Sequence, residues 1–335
     1  MPETTIEQRN CAHCEVTCNI YDMPYATNFG RICENCSNEH FFVCDRCNNR
    51  YSNDDYETDG LCQRCANHVN NVIHDCGYFP RTAIEKYLEG AGKMAWENTL
   101  FQGVELEVEV NEYADTSTHA NRFKEYLEKE GMGDFLYFKE DGSLENGYEI
   151  VSKPLTPLAR HARMNWYKAL EWLKKNKTKA WRTDTCGLHI HVSLAALSKS
   201  DVLKLKLFFA NFRGAIQRIA GRKGNQYCEY ENFSLGDYFS GMRKRYAEAS
   251  ESRYVAVNLN RDKGTVEFRV FKATLNYGRF LGCLQFTEAV CEFVKEHSAI
   301  RISRLDGWNT FKEWVLHSKK ARWKHLEKHI RKVGA

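Results

Sequence analysis

Alternating hydrophobic and polar positions dominate the chain from Leu100 onward. In LFQGVELEVEV (100–110), Val104, Leu106, Val108 and Val110 alternate with Glu105, Glu107 and Glu109, which predicts a strand carrying three carboxylates on one face. The same period recurs in DFLYFKEDGSL (134–144), which ends in an Asp-Gly turn, in GYEIVSKPL (147–155), and in CGLHIHVSL (186–194), where His189, His191 and Ser193 oppose Leu188, Ile190 and Val192. RYVAVNLNRDKGTVEFRVF (253–271) has the form of a hairpin turning around Arg261–Gly264, with Glu267 and Arg269 sharing one face. Helical spacing separates these runs: His119–Gly131, a long segment from Pro157 to Lys175, a helix capped by Ser200 and Asp201 that runs to about Arg218, and Phe280–Lys295. Residues 221–247 have no clear period and read as a Gly- and Lys/Arg-rich substrate loop. Trp323, Leu326 and Ile330 give a terminal helix its apolar stripe. Short strands between longer helices predict an α+β fold, an antiparallel sheet with helices on one face.

The front of the chain is different. Ten of the fourteen cysteines precede residue 77, and eight of them form the pairs Cys11/Cys14, Cys33/Cys36, Cys44/Cys47 and Cys62/Cys65. Two such turns supply four thiolates, a tetrahedron for Zn²⁺, so two structural zinc sites are expected. Spacing leaves the pairing open: consecutive pairs would build two successive ribbons, alternate pairs an interleaved cross-brace. Cys18, Cys76, His13, His40, His68 and His74 are spare donors. The expected division is a zinc module over 1–78, a linker over 79–98 with one short helix at Thr82–Leu88, and a larger domain over 99–335.

Composition excludes several classes. With 335 residues, 43% hydrophobic and 27% charged, the chain is of ordinary globular make-up. No apolar run approaches the ~20 residues that span a bilayer, and the opening MPETTIEQRN lacks the order of a secretory signal, so a cytoplasmic protein without a membrane partner is expected. Cytosolic thiols stay reduced, which disfavours disulfides. The net charge is +4, yet residues 1–78 hold five Arg, no Lys and twelve Asp or Glu. That sign opposes phosphate binding, so the zinc module is expected to recruit a protein partner or macromolecular substrate rather than nucleic acid.

A solvent-facing strand commonly bears a polar row, so Glu105 and Glu107 alone carry little weight. Glu149, the His189/His191 pair and the Glu267/Arg269 pair each fall on a further predicted strand. Carboxylates crowded together repel, and a divalent cation relieves them; carboxylate with imidazole suits Mg²⁺ or Mn²⁺.

In order, GVELEVE, DGSLENGYEIVSKPLT, CGLHIHVS and TVEFRVFKATLN resemble the amidoligase family, whose fold is similar to glutamine synthetase and γ-glutamylcysteine synthetase and which is frequent in phage and bacteria. The resemblance spans roughly residues 100–300 and leaves the zinc module outside. It departs at Lys272-Ala273-Thr274, where the family tends to place glycine before threonine. What it implies is an ATP-dependent ligase joining a carboxylate and an amine, free or within a peptide or protein, through an acyl phosphate. By that resemblance Glu105, Glu107, Glu149, His189 and Glu267 would hold Mg²⁺ and ATP, and Arg269 would meet the transferring phosphoryl group or the substrate carboxylate. His191 would position substrate, and Arg222, Lys223 and Arg253 are candidates for the nucleotide phosphates. Two alternatives remain: a metal-dependent hydrolase built on His-x-His, and a zinc-bearing adaptor without catalysis.

Overall fold

The computed structural model describes residues 8–45, 48–58, 60–67, 72–74, 99–111, 114–157, 160, 164–244, 252–260, 263–318 and 323–334. It divides into two compact units, Met1–Arg81 and Thr82–Ala335. The expected linker over 79–98 lies outside the described residues, as do Cys47, His68 and Cys76.

The first unit is made of short hairpins: Gln8–Asn10 with Thr17–Asn19, Tyr25–Ala26 with Gly30–Arg31, Phe41–Val43 with Arg50–Ser52, and Tyr56–Thr58 with Leu61–Cys62. Its interior is small. Met23, Ala26, Ile32 and Phe41 pack with Cys11, Cys33 and Cys36, and a second group gathers Cys44, Cys62 and Cys65 under Phe42, Tyr51 and Leu61. Cores this slight seldom hold a fold without a metal or a crosslink.

In the second unit the strands are β1 (Gln102–Glu109), β2 (Leu136–Lys139), β3 (Gly147–Ser152), β4 (Gly187–Ser193), β5 (Val257–Asn260) and β6 (Thr265–Lys272). They stand in the order β5-β6-β4-β1-β3-β2, every neighbouring pair antiparallel. An antiparallel sheet is not the parallel barrel on which the His-x-His hydrolase alternative depends. The helices are α1 (Thr116–Lys129), α2 (Trp166–Lys175), α3 (Lys199–Asn211), α4 (Arg213–Ala220), α5 (Leu235–Arg243), α6 (Tyr277–Glu296), α7 (Ala299–Ser303), α8 (Gly307–His317) and α9 (Lys324–Val333).

Alternation decides which face they cover. Val104, Leu106, Phe138, Ile150, Leu188, Ile190 and Phe268 point one way and are at most 2% exposed. Phe123 of α1 stacks on Phe138 and on Trp172 of α2, Phe209 of α3 meets Phe268, and Phe286 of α6 meets Phe271, so four helices pack on that face. The arrangement is the expected α+β layering, an antiparallel sheet with helices on one face.

Several element boundaries differ from the sequence reading. The segment read as one helix from Pro157 to Lys175 is helical at Pro157 and Arg160, breaks at Met164–Asn165, and starts again at Trp166, where the Asn165 side chain accepts from Lys168 N. Ser198, not Ser200, caps α3, and Asp201 is its reciprocal partner three positions on. That helix stops at Phe212 and resumes as α4. The stretch read as a loop over 221–247 contains α5, capped by Ser234 with Asp237. The hairpin strand begins at Val257, four residues later than read.

Candidate active site

The other face of the sheet carries a continuous polar belt fixed by strand register. Lys139 of β2 lies opposite Glu149 of β3, which lies opposite Glu107 of β1. Glu105 is opposite His189 of β4, and His191 is opposite Glu267 of β6, which is opposite Asn258 of β5. A solvent-facing polar row, the bland alternative for Glu105 and Glu107, is not what forms. The side chains are instead buried, from 3% exposed at Glu267 to 8% at His191.

Close contacts between imidazoles and carboxylates knit the belt. His189 presents Nδ1 to Glu105 at 3.4 Å and Nε2 to Glu107 at 3.6 Å, while His191 Nε2 stands 3.1 Å from Glu105. Glu267 is held at both oxygens, by Asn258 Nδ2 at 3.0 Å and by a close contact with the Arg269 guanidinium. The Glu107 carboxylate accepts from Gly187 N at the head of β4.

Protonation in the belt is divided. Burial disfavours the Glu105 carboxylate, but the imidazoles of His191 and His189 outweigh it and hold Glu105 well below the usual range. Glu267 is lowered likewise, against burial, by His191, His189 and Arg269. Glu149 moves the other way: burial, then the charge of Glu105, push it well above the usual range despite Lys139. His191 is raised against its burial by Glu105 and Glu267.

Two sets of donor atoms lie within 4.8 Å of one another: Glu105, His189 and Glu267, and Glu107, Glu149 and His189. The donor chemistry fits a hard divalent cation, whose charge would favour the ionised Glu149 carboxylate that burial and then Glu105 oppose. His189 belongs to both sets through different ring nitrogens. A neutral imidazole has one free lone pair, so it can serve one ion at a time.

Of the predicted phosphate ligands, Arg222 reaches the belt. It donates to the backbone carbonyls of Arg269 and Val270, and its Nη1 approaches Gly187 beside His189 Nε2 and Glu107 Oε2. Arg253 is exposed and lies over the Tyr254 ring, 4.7 Å from its centroid, with Arg269 over the same ring at 5.7 Å. Lys223 is exposed and makes no hydrogen bond or ion pair among the described residues. The sequence reading missed Lys139 and Asn258, whose only signal was their place on polar strand positions.

In the first unit Cys11, Cys14, Cys33 and Cys36 converge as one group and Cys44, Cys62 and Cys65 as another, which is the consecutive pairing. Backbone N–H groups of His13 and Cys33 donate to Cys11 Sγ, and that of Cys62 to Cys44 Sγ. Burial opposes the Cys11 thiolate, yet these donors and Cys14 lower it to about 6, the state a metal requires. Cys18 packs against the first group without joining it.

Residues 94–291 match the family model described as "Putative amidoligase enzyme", which is more than half of the chain. Among solved structures, the complex of the prokaryotic ubiquitin-like protein Pup with its ligase PafA is similar at 12% identity, over 70% of this chain and 62% of that one, with a TM-score of 0.32. Glutamine synthetase of Plasmodium falciparum is similar at 13% identity, over 82% of this chain and 61% of that one, with a TM-score of 0.30. The chain thus spans about three fifths of the length of each. No curated protein matches it. Four ordered strand motifs, a buried belt of carboxylates and imidazoles, and a family match across the same residues agree: the chain belongs to the amidoligase family.

Proposed function

We propose that the chain is an ATP-dependent carboxylate–amine ligase that forms an amide or isopeptide bond. The observation that carries this reading is the pair of overlapping donor sets, drawn from β1, β3, β4 and β6 and buried on one face of the sheet. Mg²⁺ or Mn²⁺ bound there would neutralise the triphosphate and align its γ-phosphoryl group.

The chemistry balances in two transfers. A substrate carboxylate oxygen bonds to the γ-phosphorus as the bond to ADP breaks, giving an acyl phosphate; an amine nitrogen then bonds to the acyl carbon, its proton passes to the departing phosphate or to water, and inorganic phosphate leaves with the electron pair of the broken acyl C–O bond. Glu105 and Glu267, kept ionised by their histidines and Arg269, would hold cations throughout. Arg269 and Arg222 offer forked donors to anionic oxygens, and Asn258 fixes the Glu267 carboxylate. Arg253 and Lys223, being exposed, would contribute only at the rim. His191 would position substrate.

The two cysteine groups would each hold one structural Zn²⁺, and the module over 1–78 would bring a protein partner or macromolecular substrate to a cytoplasmic ligase. No helix among the described residues is long and apolar enough to cross a membrane. The reading is tested by Mn²⁺-dependent ATP binding in the wild type and in the Glu105→Gln/Glu107→Gln variant. Loss of binding in the variant is expected; equal binding overturns the assignment. Formation of ADP with a condensed product from a carboxylate and an amine establishes the reaction.

A further inference from the structure

A concavity of about 540 Å³ in the second unit has the opposite charge to the belt. Its walls come from the segment Thr178–Arg182 before β4, the start of α6, and one face of α9. Five cations line it, Lys179, Arg182, Arg279, Lys328 and Lys332, and no carboxylate does. None of the five has an ion-pair partner among the described residues. Unpaired cations facing one cavity raise its potential, and an anion would lower it. Burial and the neighbouring Lys328 and Lys324 push His325 down, as that potential requires.

The spacing of the charges limits the ligand. They form a spread rather than a point: Lys328 and Lys332 stand about 6 Å apart along α9 at about 1.5 Å per residue, while Lys179, Arg182 and Arg279 come from the other walls. A compact single anion would use only part of it. Trp181 is already engaged, with the Arg279 guanidinium 4.0 Å and the Lys272 ammonium 5.3 Å from its ring centroid. It organises cations rather than offering a free platform for a nucleobase. Lys328 and Lys332 lie outside residues 94–291, the span of the family match.

From this geometry we infer that the cavity binds an acidic peptide segment, several carboxylates in sequence, on the substrate polypeptide of the ligase. The inference rests on the proposed ligase activity only for the word substrate; the binding itself is independent of it. The test uses the full chain and a fluorescently labelled octaglutamate peptide, followed by polarisation at low and physiological salt. The wild type should bind it in a salt-sensitive way and ignore octaglutamine. Lys328→Ala/Lys332→Ala, at exposed positions, should weaken binding about tenfold while leaving the thermal midpoint and Mn²⁺–ATP binding as in the wild type. The charge-reversed Arg182→Glu should weaken it further. Conversely, Glu105→Gln/Glu107→Gln should lose Mn²⁺–ATP binding and keep the peptide, so the two readings fail separately. Unchanged peptide affinity in the lysine variant overturns the inference. So does tighter binding of octathymidylate than of octaglutamate, which would make this a nucleic-acid site.

Discussion

His119 illustrates how one buried side chain sets a pH limit far from any chemistry. Its Nδ1 pairs with the Tyr148 hydroxyl at 3.0 Å and its Nε2 with Thr178 Oγ1 at 3.1 Å, and burial, then Arg122, lower it from 6.5 to about 4. Above pH 6.5 the ring is neutral whether the chain is folded or not, so its contribution is complete. As pH falls below 6.5 the unfolded chain takes up the proton first, and stability is lost down to about pH 4, where the folded ring also protonates. Urea melts of His119→Gln should start lower at neutral pH and decline less between pH 6.5 and 4 than those of the wild type; parallel declines would remove His119 as the cause. Gly187 is a second such position, within the belt. A Cβ there would lie 3.0 Å from His189 Nε2 and 3.3 Å from both Arg222 Nη1 and Glu107 Oε2. All three are side-chain ends that can give way, so Gly187→Ala should leave the thermal midpoint nearly unchanged yet weaken Mn²⁺–ATP binding about tenfold, near 1.4 kcal/mol. Titration of binding by calorimetry checks it. The alternation of Glu105, Glu107, His189, His191 and Glu267 was legible because strand geometry has a period of two. Their burial was not, since it depends on what lies over the belt.

At the scale of elements, the helices that the sequence hid are those whose ends do more than their faces. No side chain of α5 is buried, so the helical spacing of Leu235, Tyr238, Phe239 and Met242 faces no core, and the Ser234–Asp237 capping box is what marks its start. The boundary of α3 was misread for a related reason: Ser198 and Ser200 both precede Asp201 closely, but only Ser198 stands three positions before it. Ser198→Ala should therefore cost about 1 kcal/mol of stability and Ser200→Ala less, measured by chemical denaturation. By contrast α9 was readable from Trp323, Leu326 and Ile330, which are 0%, 0% and 2% exposed. Trp323→Ala should cost about 3–5 kcal/mol, because the ring is enclosed and its loss opens a cavity against Trp314. The polar positions of strands carry a weaker signal than periodicity. Lys139 and Asn258 join the belt only through register with Glu149 and Glu267, and register follows from pairing across long stretches of chain.

For the whole molecule, the two units depend on different sources of stability, and this separates their responses to chelation. The second unit buries a large apolar layer between sheet and helices; among the described residues of the first, the buried members of the two clusters are Met23, Ala26, Ile32, Phe41 and cysteines. Spacing alone could not choose between ribbons and a cross-brace, because both pairings close loops of workable length. Convergence of Cys11, Cys14, Cys33 and Cys36 in one group sets an expectation that mass spectrometry under native conditions can test. The wild type should carry two Zn²⁺. Cys11→Ser and Cys11→Ser/Cys33→Ser should each retain one, since both substitutions fall in the same site, whereas Cys11→Ser/Cys44→Ser should retain none. A cross-brace would invert the outcome, with Cys11→Ser/Cys44→Ser keeping one ion and Cys11→Ser/Cys33→Ser keeping none. A chelator should melt the hairpins of the first unit while the second unfolds at its original temperature, because metal binding supplies folding free energy only where the ligands lie. If the first unit recruits a macromolecular substrate, removing residues 1–78 should slow modification of that substrate and spare small carboxylate–amine pairs. Equal loss on both would make the module a support for folding instead.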